Sequence, residues 1–424
     1  MPVSPSTLKP SALLENAEKD LREVFERFDE TAYANQARIM ECFRSHRLSQ
    51  EAFAEVTGYG WHDSARDLID EIYAEVFETE AAAVRMLFVS GTHAISCAMA
   101  GVISPGQRTG NRMVCVTGKP YDTILKVVGL EGESDWSLKG LGVDYAVVDL
   151  IPHLKDETAA RAMLEEAFKI PTCAVHIQRS RGYSVTQKPL SWQEIKWIID
   201  LVKKINPQIK VFVDNCFSEL VETHEPTFAG ADIVAGSLIK NLGGGLNVSG
   251  GYIAGSRECV DRALDRLTAA GLGGHLGVMF NQSRLILQGL FLAPHVVSTS
   301  LKAAALFSYV FKELGFEVTP EPFDDRYDIV QTIKFENPEG LIDFCRNLQK
   351  YCPVDSHAMP EPALMPGYTD EIVMANGSFI GGANIELSVD GPLRPPYAAY
   401  LQGGLSYPHV RYALVGVLQD MVRS

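Results

Sequence analysis

The chain has 424 residues, with 38 Lys and Arg against 53 Asp and Glu, a formal net charge of −15. Hydrophobic residues make up 46% and charged residues 21%, proportions that fill a large core and exclude a disordered or fibrous chain. The acidic balance, without a Lys/Arg cluster to neutralise phosphates, argues against nucleic-acid binding.

At this length two unequal domains are as reasonable as three. The eight cysteines, at 42, 97, 115, 173, 216, 259, 345 and 352, form no C-x-x-C pair, and several fall in apolar runs, so they read as reduced core residues. The N-terminal MPVSPSTLKP lacks a charged start leading into an apolar stretch, and every eighteen-residue window has polar interruptions. A cytoplasmic protein without a membrane span is the expectation. His93, His176, His224 and His275 show no metal-ligand spacing, and no metal site is expected.

In chain order, Leu13, Leu14, Leu21, Val24, Phe25 and Phe28 recur at helical spacing among charges, predicting a helical arm over residues 1–60. The break Thr57-Gly58-Tyr59-Gly60 leads to Asp63 and Ser64, either of which caps a helix carrying Leu68, Ile69, Ile72, Tyr73, Val76 and Phe77. Seven short β-rich runs follow, at 85–90, 112–117, 144–148, 172–178, 211–214, 232–235 and 251–254, with helical stretches between most of them. This alternation predicts a large α/β domain over 61–290, and near-continuous apolar runs such as Val211-Phe212-Val213 predict parallel strands buried on both faces. Two helices are expected at 280–292 and 300–314, separated by Ala293-Pro294. A smaller C-terminal α+β domain is predicted over 291–424, containing the second of these helices and a β-rich run within 328–335.

Four strand-end segments carry candidate chemistry. Asp214 closes an apolar strand, the position that faces the ligand crevice of an open α/β sheet, or else it caps a turn. Lys240 lies in Gly236-Ser237-Leu238-Ile239-Lys240-Asn241, ahead of three glycines. Burial there would lower its pKa and make its amine a nucleophile toward a carbonyl; the bland alternative is a solvated surface lysine. The glycines do not form a P-loop. Phe88-Val89-Ser90-Gly91-Thr92-His93 runs from a strand through a turn into an apolar helix, whose N–H groups and hydroxyls suit a phosphate or serve as an ordinary N-cap. Tyr121, in Thr117-Gly118-Lys119-Pro120-Tyr121-Asp122-Thr123, stacks on a planar cofactor or packs in a turn.

Together, a phosphate-suited turn, a stacking aromatic, a strand-end carboxylate and a lysine 26 residues after it form the set that pyridoxal phosphate requires. The lysine makes the Schiff base, and the carboxylate keeps the pyridine nitrogen protonated so that the ring can accept electrons.

At these residues the sequence resembles the fold-type-I pyridoxal-phosphate enzymes of cysteine and methionine metabolism, and more closely their methionine γ-lyase-like or aluminium-resistance branch. The matching blocks are TGYGWHDSARD, FVSGTHAI, VTGKPYDT, VHIQRSRGYS, VFVDNCF, GSLIKN followed by GGG, and YLQGGLSYPHV, in one order from residue 57 to 410. The resemblance implies a transferase fold of that type: a mostly parallel seven-stranded sheet sandwiched by helices, with a smaller α+β C-terminal domain. It implies Lys240 as the Schiff-base lysine, Asp214 as partner of the pyridine nitrogen, and Tyr121 stacked on the ring and counted with Lys240 among the catalytic candidates. Gly91, Thr92 and the His93 amide would hold the phosphate with the Ser237 hydroxyl.

The resemblance also implies that Tyr59 reaches the phosphate of a neighbouring subunit, hence a homodimer or homotetramer with shared active sites. Within Gln178-Arg179-Ser180-Arg181 one polar residue, with Gln178 the candidate, would lie near the cofactor's 3-hydroxyl. The family's carboxylate-binding arginine has no counterpart in Tyr400-Leu401-Gln402-Gly403-Gly404-Leu405, and Arg394 either binds the substrate carboxylate or caps a loop. The implied activity is a carbon–sulfur lyase acting on a small sulfur amino acid, with release of a thiol, ammonia and a 2-oxo acid. Aminotransfer, γ-replacement or aldolase-type cleavage with the same cofactor are alternatives. So is a non-catalytic stress-response scaffold, although retention of Lys240 together with Asp214 speaks against it.

Overall fold

Amphipathic spacing in the N-terminal arm is realised as α1 (Pro10–Asp20) and α2 (Arg22–Ser45), which bury Leu14, Ala17, Leu21 and Val24. The computed structural model describes residues 10–103 and 111–423, so the first nine residues of that arm lie outside the described residues. α3 (Ser64–Val76) begins where Asp63 accepts the Arg66 N–H at 3.0 Å, which selects Asp63 over Ser64 as the cap.

The alternating region follows as β1 (Ala81–Arg85), α4 (Gly91–Val102), β2 (Arg112–Cys115), α5 (Asp122–Val128), β3 (Asp144–Val147) and α6 (Glu157–Ala167). It continues through β4 (Ala174–Gln178), α7 (Trp192–Ile205), β5 (Lys210–Asp214), β6 (Ile233–Ser237), β7 (Gly251–Gly255) and α8 (Arg257–Leu267). The seven strands form one sheet in the order β1-β7-β6-β5-β4-β2-β3. All are parallel except β7, which runs antiparallel to both β1 and β6. Every residue of β1, β4, β6 and β7 is buried, as a sheet covered by helices on both faces requires.

The first strand lies four residues before its expected position. Ala81-Ala82-Ala83 has little β propensity of its own but is recruited by a five-residue ladder to β7. Asp70 pins the strand's end, accepting the Val84 N–H at 2.8 Å and both ends of the Arg85 guanidinium at 2.6 and 2.7 Å. Residues 86–90 are thereby released to form the turn into α4.

α9 (Ser283–Glu313) runs through Pro294 as one helix where two were expected. Proline removes one backbone donor there, but Leu287, Leu290, Ala293, Val296, Val297 and Leu301 are buried on both sides of it, and continuous packing offsets the loss. α9 is long and apolar enough by composition to cross a membrane, yet most of it is buried inside the protein as a core helix. The turn after Lys240 lies directly on it. A Cβ on Gly289 would stand 2.4 Å from the Gly243 carbonyl oxygen, so glycine is needed at this crossing.

The remaining chain supplies β8 (Val318–Thr319), β9 (Gln331–Lys334), α10 (Pro338–Gln349), β10 (Ala363–Leu364), β11 (Glu371–Ala375), β12 (Ser388–Pro392), β13 (Ala398–Gln402) and α11 (Tyr407–Arg423). Its strands form a separate antiparallel sheet, β10-β11-β12-β13-β9-β8. That sheet packs through Val373, Val389 and Leu401 on a core that takes Phe307 and Phe311 from α9 and Leu14 from α1.

Candidate active site

Gln178, Asp214 and Ser237 are the last residues of three adjacent parallel strands, β4, β5 and β6. Their carboxyl ends and the N-terminus of α4 enclose a cavity of about 310 Å³. Its lining includes Gly91, Thr92, Tyr121, Gln178, Asp214, Ser237 and Lys240, seven of the residues singled out from the sequence. This is the crevice that strand topology assigns to a ligand.

At the α4 end, Ser90 caps the helix by accepting the His93 N–H at 3.1 Å. The His93 amide is therefore engaged in the cap, and its ring accepts the Val89 N–H at 3.3 Å; His93 does not line the cavity. Thr92 and Thr123 hydroxyls meet at 3.0 Å. A Cβ on Gly91 would stand 3.0 Å from Ser237 Cβ, so glycine keeps open a cradle between the helix terminus and the end of β6. The hydroxyls of Thr92, Thr123, Ser237 and Ser249 are among those that border the cavity along with the helix N-terminus, a donor set that fits a phosphate.

Asp214 is buried and accepts the Cys216 N–H at 3.1 Å. Burial raises its carboxyl above the ordinary range, although the Lys240 charge pulls the other way. Lys240 departs from expectation. Burial alone pushes its amine down, but Cys216, Asp214, Glu219 and Tyr368 gather acidic groups around it, and the net direction is upward. That direction favours the ammonium form, and Lys240 Nζ stands 3.9 Å from the centroid of the Phe217 ring.

Tyr121 precedes α5, its N–H donating to Gln178 Oε1 at 2.6 Å. Gln178 Nε2 in turn donates to the Ser180 carbonyl at 2.9 Å, so Gln178 fixes the Tyr121 backbone while facing the cavity. The Tyr121 hydroxyl is 2.6 Å from that of Tyr368, and burial keeps the Tyr121 phenol well above its usual pKa. Arg179 and Arg181, the other charged residues of that motif, are spent elsewhere. Arg179 pairs with Glu222 and Glu225, and Arg181 donates to the Thr319 carbonyl at 3.0 Å.

Tyr59, expected at the phosphate of a neighbouring subunit rather than in its own cavity, is 72% exposed beside Trp61. Arg394 borders a neighbouring cavity, where Asp122 and Asp370 already occupy its guanidinium, so the structure does not present it to Lys240. Conversely, Phe217, Tyr368 and Asn384 line the site without having been singled out, and Ser180, one of the four residues of the expected motif, lines it as well. Phe217 and Ser180 sit within or beside recognised blocks, but Tyr368 and Asn384 come from irregular segments around the second sheet, where no local pattern marks them.

A lysine amine, a buried carboxylate at a strand end, an aromatic side chain and a hydroxyl-lined helix terminus on this sheet define a fold-type-I pyridoxal-phosphate enzyme. The chain belongs to the methionine γ-lyase family, whose profile matches residues 10–422. The uncharacterised Bacillus subtilis protein YnbB is 42% identical over 418 residues, 98% of this chain and 97% of its own length. A Clostridium novyi structure described as a carbon–sulfur lyase involved in aluminium resistance is 42% identical, with a TM-score of 0.88 over 98% of this chain and 95% of that one. A Listeria innocua structure, provisionally a cystathionine β-lyase involved in aluminium resistance, is 40% identical, with a TM-score of 0.91 over 97% and 99%. The protein is thus a pyridoxal-phosphate-dependent carbon–sulfur lyase of the cystathionine β-lyase or methionine γ-lyase type, acting on a sulfur amino acid.

Proposed function

We propose that Lys240 carries the cofactor, Asp214 faces its ring nitrogen, Tyr121 covers the ring, and Gly91, Thr92 and Ser237 hold its phosphate. The observation that carries this reading is that all six border one cavity at the carboxyl ends of β4, β5 and β6. When bound, pyridoxal phosphate supplies an electron sink for negative charge developing at the substrate Cα.

The chain's own residues do the rest. With cofactor and substrate in place, the Lys240 amine would take the proton from Cα. The buried Asp214 carboxylate favours a protonated partner beside it. Tyr121 stays a neutral phenol at working pH, so its hydroxyl, paired with that of Tyr368, donates a proton to the leaving sulfur. Tyr368, Gly381 and Asn384, from the second sheet's loops, form part of the cavity wall. Products are a thiol, ammonia and a 2-oxo acid.

We further propose a homodimeric or homotetrameric assembly with a shared site and a cytoplasmic location. Exposed Val89 and Val248 rim the cavity, and Tyr59, Trp61 and Phe280 are exposed as well, which supports a second subunit covering the entrance. No disulfide joins the cysteines among the described residues, and seven of them are buried, in keeping with a reducing compartment.

The test is a visible absorption spectrum of the purified protein, borohydride reduction and peptide mass mapping. A yellow protein with a reduced pyridoxyl group on Lys240, releasing thiol with stoichiometric ammonia and 2-oxo acid and no added amino acceptor, is the expected result. A pyridoxyl group on another lysine, or dependence on an amino acceptor, would overturn the assignment.

A further inference from the structure

Phe217, three residues beyond Asp214, lines the cavity and places its ring centroid 3.9 Å from Lys240 Nζ. Its backbone is unusual: φ is +70°, a region that a bulky residue occupies at a cost. The segment leading into the second sheet holds it there. Ile329 donates its N–H to the Phe217 carbonyl at 3.1 Å. Next to it Asp328 accepts the Ser180 hydroxyl at 2.8 Å and the Arg181 N–H at 3.3 Å, tying the same segment to the strand end beside Asp214. Backbone strain maintained by two parts of the fold aims an aromatic face at an ammonium in a desolvated site, where such contacts are strongest.

From this geometry we infer that Phe217 is a positioning residue: its ring holds the Lys240 amino group when that group is not engaged with an aldehyde, and residues 328–330 set the ring. Uptake of an aldehyde at Lys240 requires the free amine, so the amine must leave the ring face as it gives up its proton. Phe217 thus sets how readily Lys240 is loaded. The other groups acting on Lys240 are Asp214 and Cys216 at the end of β5, Glu219 after it, and Tyr368 and Asp390 from the second sheet and its loops. Each favours the ammonium when ionised, while burial opposes it. They remain in place when only the ring is changed.

The inference deepens the assignment of Lys240 as the cofactor lysine, and its test is chosen to be independent of that assignment. Cofactor-free protein is treated with formaldehyde and cyanoborohydride across a pH series, and methylation of Lys240 is followed by peptide mass. Three proteins are compared: wild type, Phe217→Tyr, and protein with pentafluorophenylalanine at position 217, which keeps the ring's shape but reverses its electrostatic face. The fluorinated protein is expected to show a midpoint about one pH unit lower, and so a roughly tenfold faster reaction below the midpoint, with the tyrosine variant close to wild type. Equal midpoints in the fluorinated and wild-type proteins would overturn the inference, since a purely packing ring would leave Lys240 unchanged. Borohydride trapping of pyridoxal phosphate on a different lysine would instead sink the cofactor assignment, and the methylation midpoints would still decide the role of Phe217.

Discussion

Arg394 grips Asp122 through two parallel contacts, Nη1 to Oδ1 at 2.8 Å and Nη2 to Oδ2 at 3.2 Å. The fork joins the segment between β12 and β13 to the first turn of α5, next to Tyr121. Asp370 accepts a third contact at 2.9 Å, so the cation is matched by two carboxylates before any substrate arrives. Arg394→Gln is expected to lower stability by about 1 kcal/mol, discounted for its partial exposure, and to reduce kcat through displacement of Tyr121. Urea unfolding and steady-state kinetics check this. A large rise in KM for the amino acid, with stability and kcat unchanged, would instead make Arg394 the carboxylate ligand.

The fate of Arg394 shows where sequence reasoning stops. Asp214, Ser237 and Lys240 were legible because each sits at or just beyond the end of a strong apolar run, and strand ends on a parallel sheet converge by topology. Gly91 and Thr92 were legible for the same reason at a helix start. Whether an arginine is free or already paired depends on residues 272 and 24 positions away, which no local pattern reports. The Lys240 pKa differs for the same reason: burial was foreseeable, but Cys216, Asp214, Glu219 and Tyr368, which together oppose it, are gathered by tertiary packing. Pro294 looked like a helix end because local propensity was read without the burial on both sides.

Lys240 and Asp214 are expected to separate cleanly on mutation. Lys240→Arg keeps a cation but removes the amine that exchanges with substrate and moves the Cα proton, and activity should fall by at least about 10²–10⁴-fold. The absorbance of the lysine-bound cofactor should disappear. Asp214→Asn should retain bound cofactor yet lose about a hundredfold in kcat, because the electrostatic support for charge on the ring is weakened. Spectra recorded beside thiol-release rates distinguish the two. An Asp214→Asn protein with wild-type kcat would refute the role of Asp214.

Cofactor affinity should depend on the cradle at α4. Gly91→Ala puts a Cβ 3.0 Å from Ser237 Cβ and pushes the helix terminus away from the end of β6. Thr92→Val removes one hydroxyl from the phosphate-facing set and leaves Thr123 without its 3.0 Å partner. Each should weaken pyridoxal phosphate by about 10–100-fold, the worth of one hydrogen bond to a charged group. Equilibrium titration of the cofactor-free protein, followed by fluorescence quenching, measures it. Because neither residue touches Cα, kcat at saturating cofactor should change far less than affinity.

The pH dependence of stability should report Glu219. This side chain is fully buried, accepts the Tyr252 hydroxyl at 3.0 Å through Oε1, and leaves Oε2 without a hydrogen-bond partner among the described residues. Burial, with the nearby Glu225 carboxylate adding to it, raises its pKa from 4.5 to about 8. The folded protein therefore holds this proton over a range in which the unfolded chain has released it. The stabilisation is fully present below pH 4.5, is lost progressively as pH rises toward 8, and changes no further above that. Glu219→Gln keeps the acceptor for Tyr252 but cannot ionise. The difference in unfolding free energy between Glu219→Gln and wild type should shift by a few kcal/mol in favour of the variant from acid to alkaline pH. Urea unfolding of the cofactor-free proteins at intervals across that window reads the difference directly. Parallel profiles would mean that Glu219 is ionised in the fold, and that Lys240 has a buried counter-charge at neutral pH.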